Sequence, residues 1–287
     1  MKHLLFSLAV VALAGSATHA TAAPLDDSRL DVPNIARDIG SAGRLRLQSQ
    51  RLAKLYLQIG LGINADVARR QLGKGSAQLD ADLRNLSGYA RNAKTQRTVA
   101  RTEELWAELK ALLAISYGIE NMKRVNYLAD DMMIATGKLA MQIEDEAETP
   151  IGRLLDLSLR QSMLAQRLAK LYLMAQAGDQ SRGRLVDVEQ ARKEFATALH
   201  ELGSARENSP ASREALELAK TQWLFFDNAI KELNRGETGN PRHVATSSER
   251  IMEVLDAVST QYAQDYSAAA SARTARLAGN AGGTRRN

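Results

Sequence analysis

Apolar residues recur every three or four positions along most of the chain, which is the pattern of amphipathic α-helices. Breaks in this pattern predict eight helices, four in each half of the chain. Their predicted ranges are about 34–62, 66–92, 95–124, 126–148, 150–177, 182–205, 209 to the loop at 236–241, and 241–277. Four helices with short connections are typical of an up-down bundle, so each half has the length and pattern of one such bundle.

An internal repeat relates the two halves. The octamer QRLAKLYL occurs at 50–57 and again at 166–173, an offset of 116 residues. An identical octamer at one fixed offset indicates a tandem duplication. The segments around the octamer differ at one charged position, because Arg46 of the first copy is replaced by Ser162 in the second.

The predicted fold is therefore all-α, and two arrangements fit it. The copies form two tandem four-helix bundles, 34–148 and 150–277, or they pack together as one eight-helix pseudo-dimer. Thr149 and Pro150 fit the N-cap and first position of a new helix. Proline at that position allows a bend without requiring one, so the continuity of the fourth and fifth helices stays open. The Gly-rich, basic end at 279–287 predicts a disordered tail.

Composition excludes several classes of function. Hydrophobic residues make up 45% and charged residues 25% of the chain, as in soluble globular proteins. The net charge of +5 comes from scattered residues, whereas nucleic-acid binding needs a concentrated basic face with stacking aromatics, so we expect no nucleic-acid partner. The chain has no cysteine, which excludes disulfides and thiolate metal sites.

The N-terminus resembles a secretory signal peptide. A short basic start precedes the apolar run 4–14, and Ala20, Thr21 and Ala22 fit a cleavage site. We therefore expect a signal peptide at 1–22 and a soluble, periplasmic mature protein. No later run of about 18 apolar residues occurs, so no membrane span is expected after processing.

The first helix has two stripes when its residues are placed at about 100° intervals. The core stripe is Leu45, Leu52, Leu55, Tyr56 and Ile59. A second stripe lies nearly opposite and consists of Arg46, Gln50, Ala53 and Leu57. Small and apolar residues on the second stripe indicate that the helix is packed on two sides. Arg46 is then expected in a seam between helices.

A buried guanidinium needs a partner, and two kinds are possible at Arg46. One is a carboxylate, such as Asp38 or one on a neighbouring helix. The other is a flat oxyanion, which the planar donor fork of arginine can hold by two parallel hydrogen bonds. Arg44, Arg51 and Lys54 fall on a different side of the helix, and we expect them to be solvated or in surface ion pairs.

Residues 42–54, AGRLRLQSQRLAK, resemble the P-box of the NarX and NarQ nitrate sensor kinases, AGSLRMQSYRL. The matching positions are Ala42, Gly43, Leu45, Arg46, Gln48, Ser49, Arg51 and Leu52. The second copy, RQSMLAQRLAK, is closer to the signature of PilJ-type chemotaxis transducers, AGRQRMLSQRMAK. The resemblance covers both halves at the level of the fold but extends to the ligand motif only in the first half.

The resemblance implies a periplasmic four-helix bundle that dimerises through this helix. It also implies one nitrate on the dimer axis, held by two copies of the arginine that matches Arg46, with help from the backbone near Gly43. Gln50, on the stripe of Arg46, is the third candidate ligand-binding residue. Ser162 departs from this pattern, and the chain has no transmembrane, HAMP-like, kinase or methyl-accepting region. Either the two copies form a pseudo-dimer with one arginine, or first copies from two chains pair as a homodimer through the Arg46 helix.

These features predict a sensor module that binds nitrate or nitrite and relays occupancy to an unidentified signalling or envelope protein. The alternative is a ligand-free interaction or scaffold protein of the same fold. We expect no enzyme activity, cofactor or metal site. The mature chain has only two histidines, His200 and His243, and lacks HExxH, GxSxG, P-loop and Glu-x-x-His patterns. The acidic cluster at 144–148 is interpreted as a solvated helix end.

Overall fold

A computed structural model of the chain describes residues 32–87, 93–145, 150–179, 181–234 and 239–283. These residues form eight α-helices and no strand, which confirms the all-α prediction. The helices are α1 (Val32–Gly60), α2 (Ala65–Ser87), α3 (Ala93–Leu113), α4 (Ile119–Glu144), α5 (Pro150–Gln176), α6 (Arg182–Ser204), α7 (Pro210–Asn234) and α8 (Pro241–Gly283). No helix in these ranges is both long enough and apolar enough to cross a bilayer.

The break between α3 and α4 lies earlier than the sequence predicted. The third helix was expected to continue to Arg124, but α3 ends at Leu113 and α4 begins at Ile119. The connection carries Tyr117, whose ring lies 5.8 Å from that of Tyr56 on α1. Helix periodicity could not show this break, because it is stabilised by a contact with another helix.

Several predicted features lie outside the described residues. They are the signal peptide at 1–22, the proposed N-cap Thr149, and the last part of the tail, 284–287. α8 continues to Gly283, past Gly279 where the disordered tail was expected to begin. Its alanine-rich end favours helix, which accounts for the extension.

The directions of the central helices follow from their contacts. Along α1 and α4, Gln50 contacts Ala129 whereas Arg46 lies beside Gly137, so the order of contacts is reversed and the two helices are antiparallel. α5 is also antiparallel to α4. It begins shortly after α4 ends, and Lys170, near the far end of α5, pairs with Asp130 in the middle of α4. α4 and α5 therefore form a hairpin, and they are not one continuous helix.

Because both are antiparallel to α4, α1 and α5 run in the same direction, and they pack directly against each other at the centre of the molecule. α1 also packs on α2 and α4, and α5 packs in the same way on α6 and α8. A single hydrophobic core joins the two halves. Of the two predicted arrangements, the structure is the eight-helix assembly with the halves packed as a pseudo-dimer.

α1 is enclosed within one chain. Between Ile35 and Gln58 every side chain is buried except those of Arg37 and Arg44. A homodimer through the Arg46 helix, one of the predicted possibilities, would need a free face that α1 does not have. α5 of the same chain occupies the place that the prediction gave to a second copy of α1.

Candidate functional site

Arg46 lies in the predicted place, at the seam between the halves. Its side chain is 7% exposed, and Nη2 donates to Oδ1 of Asp156 at 2.8 Å and to the main-chain oxygen of Asp156 at 3.2 Å. Nε of Arg46 is buried and has no hydrogen-bond partner among the described residues. Asp156 belongs to α5, so the guanidinium bridges the two halves. The partner is a carboxylate on a neighbouring helix, whereas Asp38 accepts from Arg37.

The Arg46–Asp156 pair has no charged counterpart in the repeat. At the offset of 116 residues, Arg46 corresponds to Ser162 and Asp156 corresponds to Gly40. Both members of the ion pair are thus replaced by small uncharged residues. The cation and its carboxylate differ together between the two copies, as expected for groups that serve each other.

α1 and α5 approach each other closely at Gly43. A Cβ atom built on Gly43 would lie 2.5 Å from Cδ1 and 2.8 Å from Cβ of Leu159. Leu159 is also the residue that corresponds to Gly43 in the repeat. A residue meets its own counterpart only near an axis of two-fold symmetry, so the pseudo-axis passes here. The side chain of Leu159 therefore covers the backbone of Gly43.

Gln50 is engaged with α4. Its amide nitrogen donates to the main-chain oxygen of Ala129 at 2.9 Å and to Oδ1 of Asp130 at 3.1 Å. Gln166, its counterpart, donates in the same way to the main-chain oxygen of Ser248 at 2.8 Å. Gln50 thus holds α1 to α4, whereas Arg46 pairs with Asp156 and Gly43 lies under Leu159, so the three predicted ligand-binding residues have different neighbours.

Two lysine ion pairs that cross between the halves were missed by sequence analysis. Nζ of Lys54 donates to Oε1 of Glu249 at 2.6 Å, and Nζ of Lys170 donates to Oδ1 of Asp130 at 2.6 Å. Each lysine belongs to one half and its carboxylate to the last helix of the other half. Both lysine side chains are fully buried, so the expectation that Lys54 is solvated was wrong. The available signal was the presence of the lysine in both copies of the identical octamer.

Glu249 is the centre of the larger cluster. Besides Lys54, it accepts from Nη2 of Arg51 at 2.6 Å and from the amide of Gln71 at 3.0 Å. Burial alone would raise the pKa of Glu249, but the charges of Lys54 and Arg51 outweigh burial and lower the pKa to about 2. The carboxylate is therefore ionised over the whole range in which proteins are usually handled, and it compensates two buried cations. Arg51, like Lys54, was wrongly expected at the surface.

Arg44 fits its prediction better than Arg51 does. Its side chain is 33% exposed and its Nη2 donates to Oδ1 of Asp82 on α2 at 2.6 Å. The ion pair lies at the edge of the first half, although its carboxylate is buried. The pair therefore attaches α2 to α1.

We predict an alkaline pH dependence from Lys170. Burial, opposed by Asp130, lowers the pKa of Lys170 from 10.5 to about 8. Between pH 8 and 10.5 the unfolded chain therefore binds more protons at this residue than the folded chain, so this contribution to the free energy of unfolding rises with pH. Urea denaturation at pH 8, 9 and 10 measures it. Lys170→Met is the control and should lessen the rise, leaving the part due to Lys54, whose pKa burial also lowers. An equal rise in that variant would contradict the assignment.

The surroundings of Arg46 carry negative charge. Burial and the neighbouring Asp156 raise the pKa of Glu144, which lies at the end of α4, while Arg153 and Arg46 oppose the rise. An anion placed at Arg46 would meet Asp156 first and Glu144 next. The described residues also contain no group of three or more His, Asp or Glu side chains that could hold a metal ion.

Comparisons with known proteins add one match. Neither the curated proteins nor the solved structures gave a match. Residues 33–130, which cover α1 to α3 and the first part of α4, match the profile of PilJ, the N-terminal region of type IV pili methyl-accepting chemotaxis transducers. The first half of the chain is thus similar to the sensor-type N-terminal domain of a signalling protein.

Proposed function

We propose that this chain is a periplasmic helical signalling module that acts through contact with a protein partner and binds no anion at Arg46. The similarity of residues 33–130 to a transducer N-terminal domain supports the signalling role. The signal-peptide pattern at 1–22 supports the location. One observation carries the ligand-free form of the proposal: Arg46 is paired with Asp156, and both are replaced together in the other copy.

The charge and space at the pseudo-axis favour this function over anion sensing. The Arg46–Asp156 pair is neutral and buried, so a bound nitrate would add an uncompensated charge beside two carboxylates. The nitrate-sensor arrangement requires a second arginine, and this chain has Ser162 at that position. Leu159 fills the space over Gly43 where an anion would meet the backbone. Arg46 then serves to join α1 to α5.

Nitrate or nitrite sensing is the second candidate, and one observation favours it. Nε of Arg46 is buried and finds no partner in the part of the chain that the structure describes, so half of the donor edge formed by Nε and Nη2 is unused there. A planar oxyanion could take both donors if the carboxylate of Asp156 moved away. Such a movement would loosen the contact between the halves and supply a signal.

Calorimetric titration with sodium nitrate and sodium nitrite separates the two candidates, with sodium chloride as the salt control. We expect no saturable heat from the wild type at millimolar anion. Asp156→Asn removes the competing charge and leaves Arg46 uncompensated, so this variant should gain thermal stability from nitrate that the wild type does not gain. Saturable binding to the wild type that disappears in Arg46→Ala would establish the oxyanion sensor and overturn the ligand-free proposal.

A further inference from the structure

The outer face of α4 carries an exposed apolar row. Tyr127, Ile134 and Met141 are 65%, 66% and 57% exposed. They are spaced seven residues apart, so they lie within about 20° of one line along the helix. Large exposed apolar side chains aligned on one surface are a mark of an interaction site.

The fold itself does not require this row, as α8 shows. Asp130 on α4 and Glu249 on α8 play the same part toward Lys170 and Lys54, so the last helices of the two halves correspond at an offset of 119 residues. The counterparts of the three apolar residues are Thr246, Glu253 and Thr260, all exposed. α8 occupies the equivalent place with a polar outer face, so the apolar row belongs to α4 for another reason.

Charged residues beside the row are arranged so that the face complements itself. Lys123 and Asp145 lie on the line of the row near its two ends, and Asp131 and Lys138 lie to one side of its centre. A second α4, antiparallel and related by a two-fold axis at Ile134, brings Lys138 beside Asp131 and Lys123 beside Asp145 of the other copy. Among the residues that the structure describes, the only other ion-pair partner of Lys123 is the exposed Glu120 of the same helix.

The same arrangement matches the apolar residues. Ile134 meets Ile134 of the second copy on the axis, and Tyr127 meets Met141 on either side. We propose that α4 is the homodimerisation surface of this protein and that its occupant is α4 of a second copy in antiparallel orientation. One helix–helix contact is at the small end of the range for specific interfaces, so we expect a dissociation constant on the order of micromolar. This inference stands apart from the proposed function, since it needs neither the anion nor the signalling partner.

Cysteine cross-linking tests the register directly, because the natural chain has no cysteine. Ile134→Cys places a thiol on the proposed axis and should give a disulfide-linked dimer under mild oxidation. Glu253→Cys, the equivalent exposed position on α8, is the matched control and should stay monomeric. Tyr127→Cys and Met141→Cys should cross-link when mixed but not separately. Equal dimer yields from Ile134→Cys and Glu253→Cys would overturn the proposal.

Sedimentation equilibrium of the unmodified protein tests the dimer without covalent capture. The wild-type mass should rise toward that of a dimer with concentration, and Lys138→Glu should weaken association by at least about tenfold. Adding Asp131→Lys to Lys138→Glu exchanges the two charges and should restore association. A wild type that stays monomeric throughout, or a dimer that Lys138→Glu does not weaken, would show that α4 faces another occupant or none.

Discussion

Replacing Glu249 by glutamine is expected to lower the free energy of unfolding by about 3–5 kcal/mol, because removing one member of a buried ion pair leaves its partner charge uncompensated. Lys54 is fully buried and the side chain of Arg51 is 11% exposed, so two cations lose their carboxylate at once. Urea denaturation followed by circular dichroism measures the loss.

Glu253→Gln is the matched control for this substitution. Glu253 lies one turn further along α8 and is exposed, so the same chemical change should alter stability by no more than about 0.5 kcal/mol. Adding Lys54→Met to Glu249→Gln removes one uncompensated cation and should recover part of the loss. If Glu249→Gln cost no more than Glu253→Gln, the buried cluster would not be holding the halves together.

Gly43→Ala is expected to destabilise the protein by about 1–3 kcal/mol, although alanine is the better helix former, because its Cβ overpacks the contact with α5. The clash involves both Cδ1 and Cβ of Leu159, at 2.5 and 2.8 Å, so a change of side-chain rotamer alone does not relieve it. α1 and α5 must then move apart. The measurement is the same urea denaturation.

Gly73→Ala is the comparison variant, and its expected effect on stability is the opposite of that of Gly43→Ala. Gly73 lies within α2, and an added Cβ would meet no atom of the described residues within 4 Å apart from its own helix backbone, so the substitution should stabilise the protein by about 0.5–1 kcal/mol. The exchange Gly43→Leu with Leu159→Gly puts the same two side chains on opposite sides of the pseudo-axis. The double variant should be more stable than either single variant. If its change in the free energy of unfolding were simply the sum of the two single changes, the result would argue against the axis.

Much of the fold could be predicted from the sequence because helix formation leaves a local pattern. Pro150, Pro210 and Pro241 begin helices close to the predicted positions. The boundary between α3 and α4 could not be predicted, since the break depends on a contact between Tyr117 and α1. A local pattern could not decide between two separate bundles and one assembly either, because both arrangements bury the same apolar stripes of the helices.

The candidate site was predicted only in part, because a local pattern shows the faces of a helix but not the neighbours that cover them. The projection of α1 placed Arg46 in a seam, which is correct, since Arg46 pairs with Asp156 of α5 and lies beside Gly137 of α4. It could not identify Asp156, 110 residues away, or show that Leu159 covers Gly43. Lys54 was placed at the surface because a projection of one helix records directions but contains no information on which neighbours lie there.

By itself the sequence determined that the chain is helical, that its two halves share an octamer, and that α1 is packed on two sides. These are properties of residues a few positions apart, which periodicity and identity report directly. Only the tertiary structure decided what covers those sides. Lys54 and Glu249 are 195 residues apart in the chain and 2.6 Å apart in space. Ion pairing depends on distance in space, so the fold had to exist before these partners could be known.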